Sequence, residues 1–318
     1  MRPGKLGRSR WLPLFGVFLL GACARKPDAA TGSRAPEGTP SATAVSSRGR
    51  VLVVLSSSNQ LPLKEGRSYR TGYFLNEVMV PVRALLAAHY EPVFATPAGT
   101  PAVMDPHSDS PQFFATEADY REIVELRHQL HDLSRTSALS TVLREGLEPY
   151  LALLVPGGHA AFGDLLENPE LGRVLTHFHE RHKPTALICH GPSALLSTLP
   201  RAGDFTAALA NGDEAAAKSA SVGFPYAGYR LTAFSTAEEQ VVEEGGAGAF
   251  LGGKVRFYLD QALTAAGAQV EVREPFKSHV VVDRELISAQ QPASDAAFTQ
   301  ALLDALQKSQ PNGPVARD

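Results

Sequence analysis

Short runs of uninterrupted apolar residues alternate along this chain with longer stretches in which apolar residues return every three or four positions. Val51-Leu52-Val53-Val54-Leu55, Leu151-Ala152-Leu153-Leu154-Val155 and Thr185-Ala186-Leu187-Ile188 are the clearest runs. They read as strands buried on both faces of a parallel sheet. Helical periodicity occupies 76–88, 117–133 and 171–182. Further on, the pattern predicts strands over 231–234, 270–272 and 280–282, a helix over 254–265 and a closing helix over 296–307. Alternating strand and helix predict an α/β domain: a doubly wound, mostly parallel, flavodoxin-like sheet with helices on both faces. Ligands of such sheets collect at the carboxyl ends of the strands.

The beginning of the chain follows a different rule. Arg2, Lys5, Arg8 and Arg10 precede an apolar run over 11–20, and Leu20-Gly21-Ala22-Cys23 closes it. A basic head, a short apolar run and small residues form an export signal, and the run is about half of what a membrane-spanning helix needs. The Leu-Gly-Ala-Cys string resembles the lipobox of bacterial lipoproteins, in which the cysteine is acylated and becomes the mature N-terminus. Residues 1–22 are therefore expected to be a lipoprotein signal peptide and Cys23 the lipidated residue. The protein would be exported and anchored through lipid on the periplasmic side. Ala24, in place of the Asp associated with inner-membrane retention in some bacteria, favours the outer membrane. Residues 23–49, rich in Ala, Pro, Ser, Thr and Gly, contain too little apolar surface to offset the entropy of ordering them and read as a tether. The domain then covers 50–310, followed by a short tail over 311–318.

Composition narrows the function. A formal charge of −3 leaves no electrostatic footprint for nucleic acid. Two cysteines, Cys23 and Cys189, exclude a disulfide scaffold and a cysteine-rich zinc module. Cys189 follows a strand and precedes His190-Gly191-Pro192, with proline suited to a first helical turn. A cysteine at a strand-to-helix turn has the logic of a nucleophile elbow, because unpaired N–H groups and the helix dipole favour thiolate. The alternative is a buried, inert thiol; an otherwise unpaired cysteine beside a histidine favours the nucleophile. His177, His179 and His182 form a cluster in sequence, yet on one helix His177 and His179 point about 200° apart and read as surface residues.

Pro156-Gly157-Gly158-His159 after one strand and Ile188-Cys189-His190-Gly191-Pro192 after the next resemble the ThiJ/PfpI (DJ-type) superfamily, with its class I glutamine amidotransferase-like fold. Thr71-Gly72, Glu77 and Pro81 resemble the first helix of its chaperone and glyoxalase III branch. Ala95-Thr96-Pro97-Ala98-Gly99, Met104-Asp105-Pro106-His107-Ser108, the stretch 228–239 and Gln291-Pro292-Ala293-Ser294 extend the similarity over the whole domain. The resemblance implies Cys189 as nucleophile, His190 as its base, Glu239 as the acidic third member with Glu238 one register step away, and Glu77 as a partly protonated acid beside the sulfur. It also implies that the Gly157-Gly158 turn presents backbone N–H groups to an oxyanion. Ala160 replaces a glycine of the family string. Some members of the branch bind a metal through two His and a Glu. Glu91 survives here, but Leu86 stands where the first His would fall, so no metal is expected.

Two function classes follow from the resemblance. One is a glutathione-independent, cofactor-free glyoxalase that converts methylglyoxal or a related small 2-oxoaldehyde into a 2-hydroxy acid through a Cys189 hemithioacetal, or a deglycase using the same residues. The other is a stress-response holdase or redox-sensing interaction protein; a homodimer is compatible with either. A glutaminase would need a His-x-Glu string downstream of the cysteine, and none follows Cys189.

Overall fold

The computed structural model describes residues 47–243 and 248–309. The signal peptide, Cys23, nearly all of the tether and the tail over 311–318 lie outside them. The main sheet has seven strands: β1 (Gly49–Val54), β2 (Tyr90–Thr96), β3 (Ser137–Ala138), β4 (Tyr150–Val155), β5 (Thr185–Ile188), β6 (Val280–Asp283) and β7 (Leu286–Ala289). Their order is β6-β7-β5-β4-β1-β2-β3. Every pairing is parallel except the β6–β7 hairpin at one edge. The doubly wound, mostly parallel α/β fold expected from the alternation is the observed one.

The central strands have the composition that their position demands. Val51 to Val54 in β1, Ala152 to Val155 in β4 and all of β5 are buried, as in a sheet covered on both faces. Five helices frame the site or the core: α1 (Leu75–Ala87), α2 (Glu117–Gln129), α3 (Pro169–Glu180), α4 (Thr236–Glu243) and α5 (Asp295–Ser309). In α3, Leu171, Val174, Leu175 and Phe178 are buried along one stripe, each contributing about 1.5–3 kcal/mol of transfer free energy. Asn168 starts that helix, its Oδ1 accepting from the Leu171 N–H at 2.9 Å, with Pro169 at the first turn.

Several expectations change. The period over 117–133 is broken at Gln129, and residues His131–Ser134 form a separate 3-10 turn. The helix expected over 254–265 begins only at Leu259. Of the strand expected over 231–234, only Arg230–Leu231 pairs, and its partner is Gln269–Val270 outside the main sheet. Residues 232–234 run instead towards Cys189, where the Phe234 N–H donates to the Cys189 carbonyl at 2.9 Å. Other elements had no sequence expectation, β7 and two helices among them. β7 contains Ser288, whose buried hydroxyl accepts from the Thr232 N–H at 2.9 Å and so masks an inner strand. The helices Ala202–Asn211 and Glu214–Ala220 lie in an alanine-rich stretch with little periodic contrast.

Candidate active site

The loops after β4 and β5 meet at the carboxyl edge of the sheet, where a parallel fold places its ligands. Cys189 follows β5 directly and takes φ = 61°, a left-handed conformation for a residue with a side chain. That costs about 1–2 kcal/mol, and it persists because both backbone groups are held. The Cys189 N–H donates to the Ala289 carbonyl at 2.9 Å, and its own carbonyl accepts from Phe234. Gly191 sits so close to β4 that a Cβ would run into the Val155 carbonyl oxygen. The segment Gly191–Thr198 is a 3-10 helix rather than the α-helix expected.

Around the sulfur the geometry is specific. Cys189 Sγ lies 3.4 Å from His190 Nδ1, and His190 Nε2 lies 2.8 Å from Glu239 Oε2. Glu239 comes from the first turn of α4. Its other oxygen, Oε1, is 2.8 Å from His159 Nε2. All four side chains are buried. Burial alone would raise the Glu239 carboxyl, but the two imidazoles hold it at about 2. Burial and the neighbouring His159 lower His190, so His190 is neutral at physiological pH. With its Nε2 proton donated to Glu239, its Nδ1 lone pair is free to accept from the thiol.

Glu77 stands on the far side of the sulfur, at the first turn of α1 and fully buried. Burial pushes its carboxyl well above the usual range. Oε2 accepts from the Gly157 N–H at 3.0 Å, while Oε1 has no partner of ordinary hydrogen-bond geometry. This arrangement overturns one expected role of the glycine turn: the Gly157 N–H is committed to Glu77 and is not a free oxyanion donor. The Gly158 N–H faces the sulfur and favours thiolate. Gly158 has φ = 89°, and a Cβ there would meet the Gly72 carbonyl oxygen, so glycine is required. Ala160 has φ = −59° and ψ = −35° and loses nothing by not being glycine.

The thiol also departs from expectation. Burial, followed by the Glu77 carboxyl, pushes Cys189 well above the ordinary thiol range rather than below it. Cys189 is 3% exposed, and the desolvation of an anion outweighs the Gly158 N–H. The resting nucleophile is a thiol awaiting a base.

Glu238, the alternative third member, is buried but turned away from the histidines. It accepts from the Ser235 N–H and hydroxyl, from the Phe276 N–H and from Gln290 Nε2, so it holds loops together. His179 is only partly exposed and lies 2.8 Å from the buried Glu285, which corrects its reading as a surface residue. His177 is half-buried too, His182 lies beyond the end of α3 and is exposed as expected, and the three are not brought together. Glu91 pairs with Arg50 at 3.7 Å on the surface.

The residue that sequence reading missed is His159. It had appeared only as part of a turn string, yet a histidine directly after a buried strand at the ligand end of the sheet was a signal available in the sequence. His159, His190 and Glu239 offer donor atoms within 4.8 Å of one another, the one group among the described residues with the spacing of a metal site. The same atoms are already joined to each other by hydrogen bonds. Asp105, also buried, accepts from Tyr69 Oη, Thr71 Oγ1 and the His107 N–H, and Tyr69 in turn packs edge-on against His159.

A model of the DJ-1/PfpI family matches residues 71–221 of the chain. Among curated proteins, the protein/nucleic acid deglycase HchA of Staphylococcus aureus (strain bovine RF122 / ET3-1) is 25% identical over 249 residues, covering 76% of this chain and 75% of its own. Among solved structures, the 24 kDa rapid encystment protein of Francisella tularensis superposes with a TM-score of 0.62 at 22% identity, covering 81% of this chain and 99% of that one. Glyoxalase III from Candida albicans gives 0.60 at 19% identity, covering 81% and 97%. These two likenesses speak for the fold.

Proposed function

We propose that the protein is a cofactor-independent glyoxalase, converting a 2-oxoaldehyde and water into a 2-hydroxy acid, with deglycation of early adducts as a related use of the same residues; the match of residues 71–221 to a DJ-1/PfpI family model supports this reading. The observation that carries this reading is the line Cys189 Sγ, His190 Nδ1, His190 Nε2, Glu239 Oε2, with contacts of 3.4 and 2.8 Å at its two ends. Distant relationship to a deglycase and likeness in fold to a glyoxalase III are consistent with it.

The raised thiol calls for a base at the moment of attack. His190 Nδ1 takes the Cys189 proton as sulfur adds to the aldehyde carbon, and the imidazolium then protonates the resulting alkoxide to give a hemithioacetal. Neutral again, His190 removes the carbon-bound proton of the former aldehyde. The adjacent carbonyl takes up the electron pair as an enediol, so no metal or cofactor is required for this step. Return of that proton to the second carbon, with the hydroxyl proton passing from the first oxygen to the second, leaves a thioester of the 2-hydroxy acid. Water adds to that thioester, His190 moves its proton to sulfur, and the acid leaves with Cys189 restored. Glu239 stabilises each imidazolium form. His159, on the other oxygen of Glu239, keeps that carboxylate in place and is a positioning residue. Glu77, beside the sulfur, keeps the thiol protonated until His190 takes its proton.

The test is incubation of the full chain with methylglyoxal and measurement of lactate. Wild type should form lactate without glutathione, and Cys189→Ala should not. Equal lactate from both proteins, or none from wild type, would exclude the proposal.

A further inference from the structure

Above Cys189 opens a cavity of 670 Å³. That is far more space than a three-carbon oxoaldehyde fills, and it lies in the range of pockets that enclose much larger ligands. Cys189, His190 and His159 line its reactive end, while Phe74, Phe113, Phe234 and Phe250 supply aromatic wall. Phe74 and Phe113 meet edge to face with centroids 4.8 Å apart. His107 lies flat on Phe250, with centroids 3.9 Å apart and planes within 19°. Faces and edges presented in this way match the quadrupole of an incoming aromatic ring. Charge points the same way. No lysine or arginine lines the cavity among the described residues, and Asp295 is its carboxylate. A phosphate or carboxylate entering here would lose water without gaining a cationic partner.

We infer that the site selects neutral 2-oxoaldehydes carrying an aryl or similarly bulky apolar group, phenylglyoxal being the simplest, over methylglyoxal and over oxoaldehydes bearing a phosphate or carboxylate. The inference rests on the glyoxalase reading above. With the aldehyde carbon at Sγ, the ring of such a substrate falls among Phe113, Phe250 and His107 and buries apolar surface that methylglyoxal does not have.

Two measurements on the full chain separate substrate choice from turnover. The first is kcat/KM for phenylglyoxal and for methylglyoxal. The second is Kd for acetophenone and for acetone, ketones of the same shapes that lack the aldehyde. We expect ~10- to 100-fold preference for the aryl member in both measurements, the scale set by burying one large apolar group. Phe113→Ala and Phe250→Ala should each reduce both preferences by ~10-fold; both side chains are only partly buried, so their truncation spares the core. A wild-type preference near unity, or one that neither substitution moves, would overturn the inference. If wild type turned over neither aldehyde while acetophenone still bound and both variants weakened it, the glyoxalase reading would fail and the aryl site would stand. Acetophenone binding no tighter than acetone would remove the aryl site whatever the turnover.

Discussion

Glu238 and Glu239 are adjacent in sequence, both buried, and separate in role. Glu239 accepts from two imidazoles, so Glu239→Gln should lower turnover by about 10²-fold or more by removing the charge that stabilises imidazolium. Glu238→Gln should instead lower Tm with little change in kcat, because its carboxylate joins Ser235, Phe276 and Gln290. Kinetics and melting curves of the two variants separate these outcomes, and a kinetic defect confined to Glu238→Gln would reverse the assignment. Glu239 also fixes a pH window. Its carboxyl is held at about 2 against an ordinary 4.5; a depressed acid contributes stability that is fully present above the ordinary value and lost as pH falls through the depressed one. The Tm difference between wild type and Glu239→Gln should therefore shrink between those two values. For the thiol, burial and Glu77 act in the same direction. Glu77→Gln should bring the Cys189 pKa down towards the ordinary thiol value, with the share due to burial remaining. Thiolate absorbance against pH measures it, and an unchanged or higher pKa would count against Glu77 as a cause.

Among the elements, the central strands and the amphipathic helices follow from local pattern, while the exceptions have a common origin. β7 is short and carries a polar residue whose buried hydroxyl finds partners only in the folded protein. The expected strand over 231–234 stops after Leu231, and the freed backbone of Phe234 reaches the carbonyl of the nucleophile. In each case a contact distant in sequence outweighs a local preference. α3 is the opposite case, written in its own residues from cap to apolar stripe. Asn168→Ala removes one side-chain acceptor from the Leu171 N–H and should cost about 1 kcal/mol. Denaturant unfolding would show it as a lower midpoint with an unchanged m-value; no shift in midpoint would mean that packing alone sets this helix start.

At the scale of the whole molecule, the basic head, the apolar run and Cys23 lead us to propose an exported, lipid-anchored protein. Cys23→Ala should move it from the membrane fraction to the soluble one, whereas an unmodified Cys23 in a soluble mature chain would exclude the anchor. The sequence by itself determined the alternation of strand and helix, the turn that carries Cys189 and the adjacency of His190, because each depends on residues close in the chain. Only tertiary structure decided the rest. Glu77 is brought to the sulfur and Glu239 to His190 by helices far apart in the sequence. Glu238 and Glu239 exchange roles with the rotation of one helix, which no local pattern specifies. His159 gains a partner only when the loop after β4 meets α4. The thiol rises rather than falls because its desolvation is set by every element packed around it, and the free energy of burying a charge is a property of the assembled site.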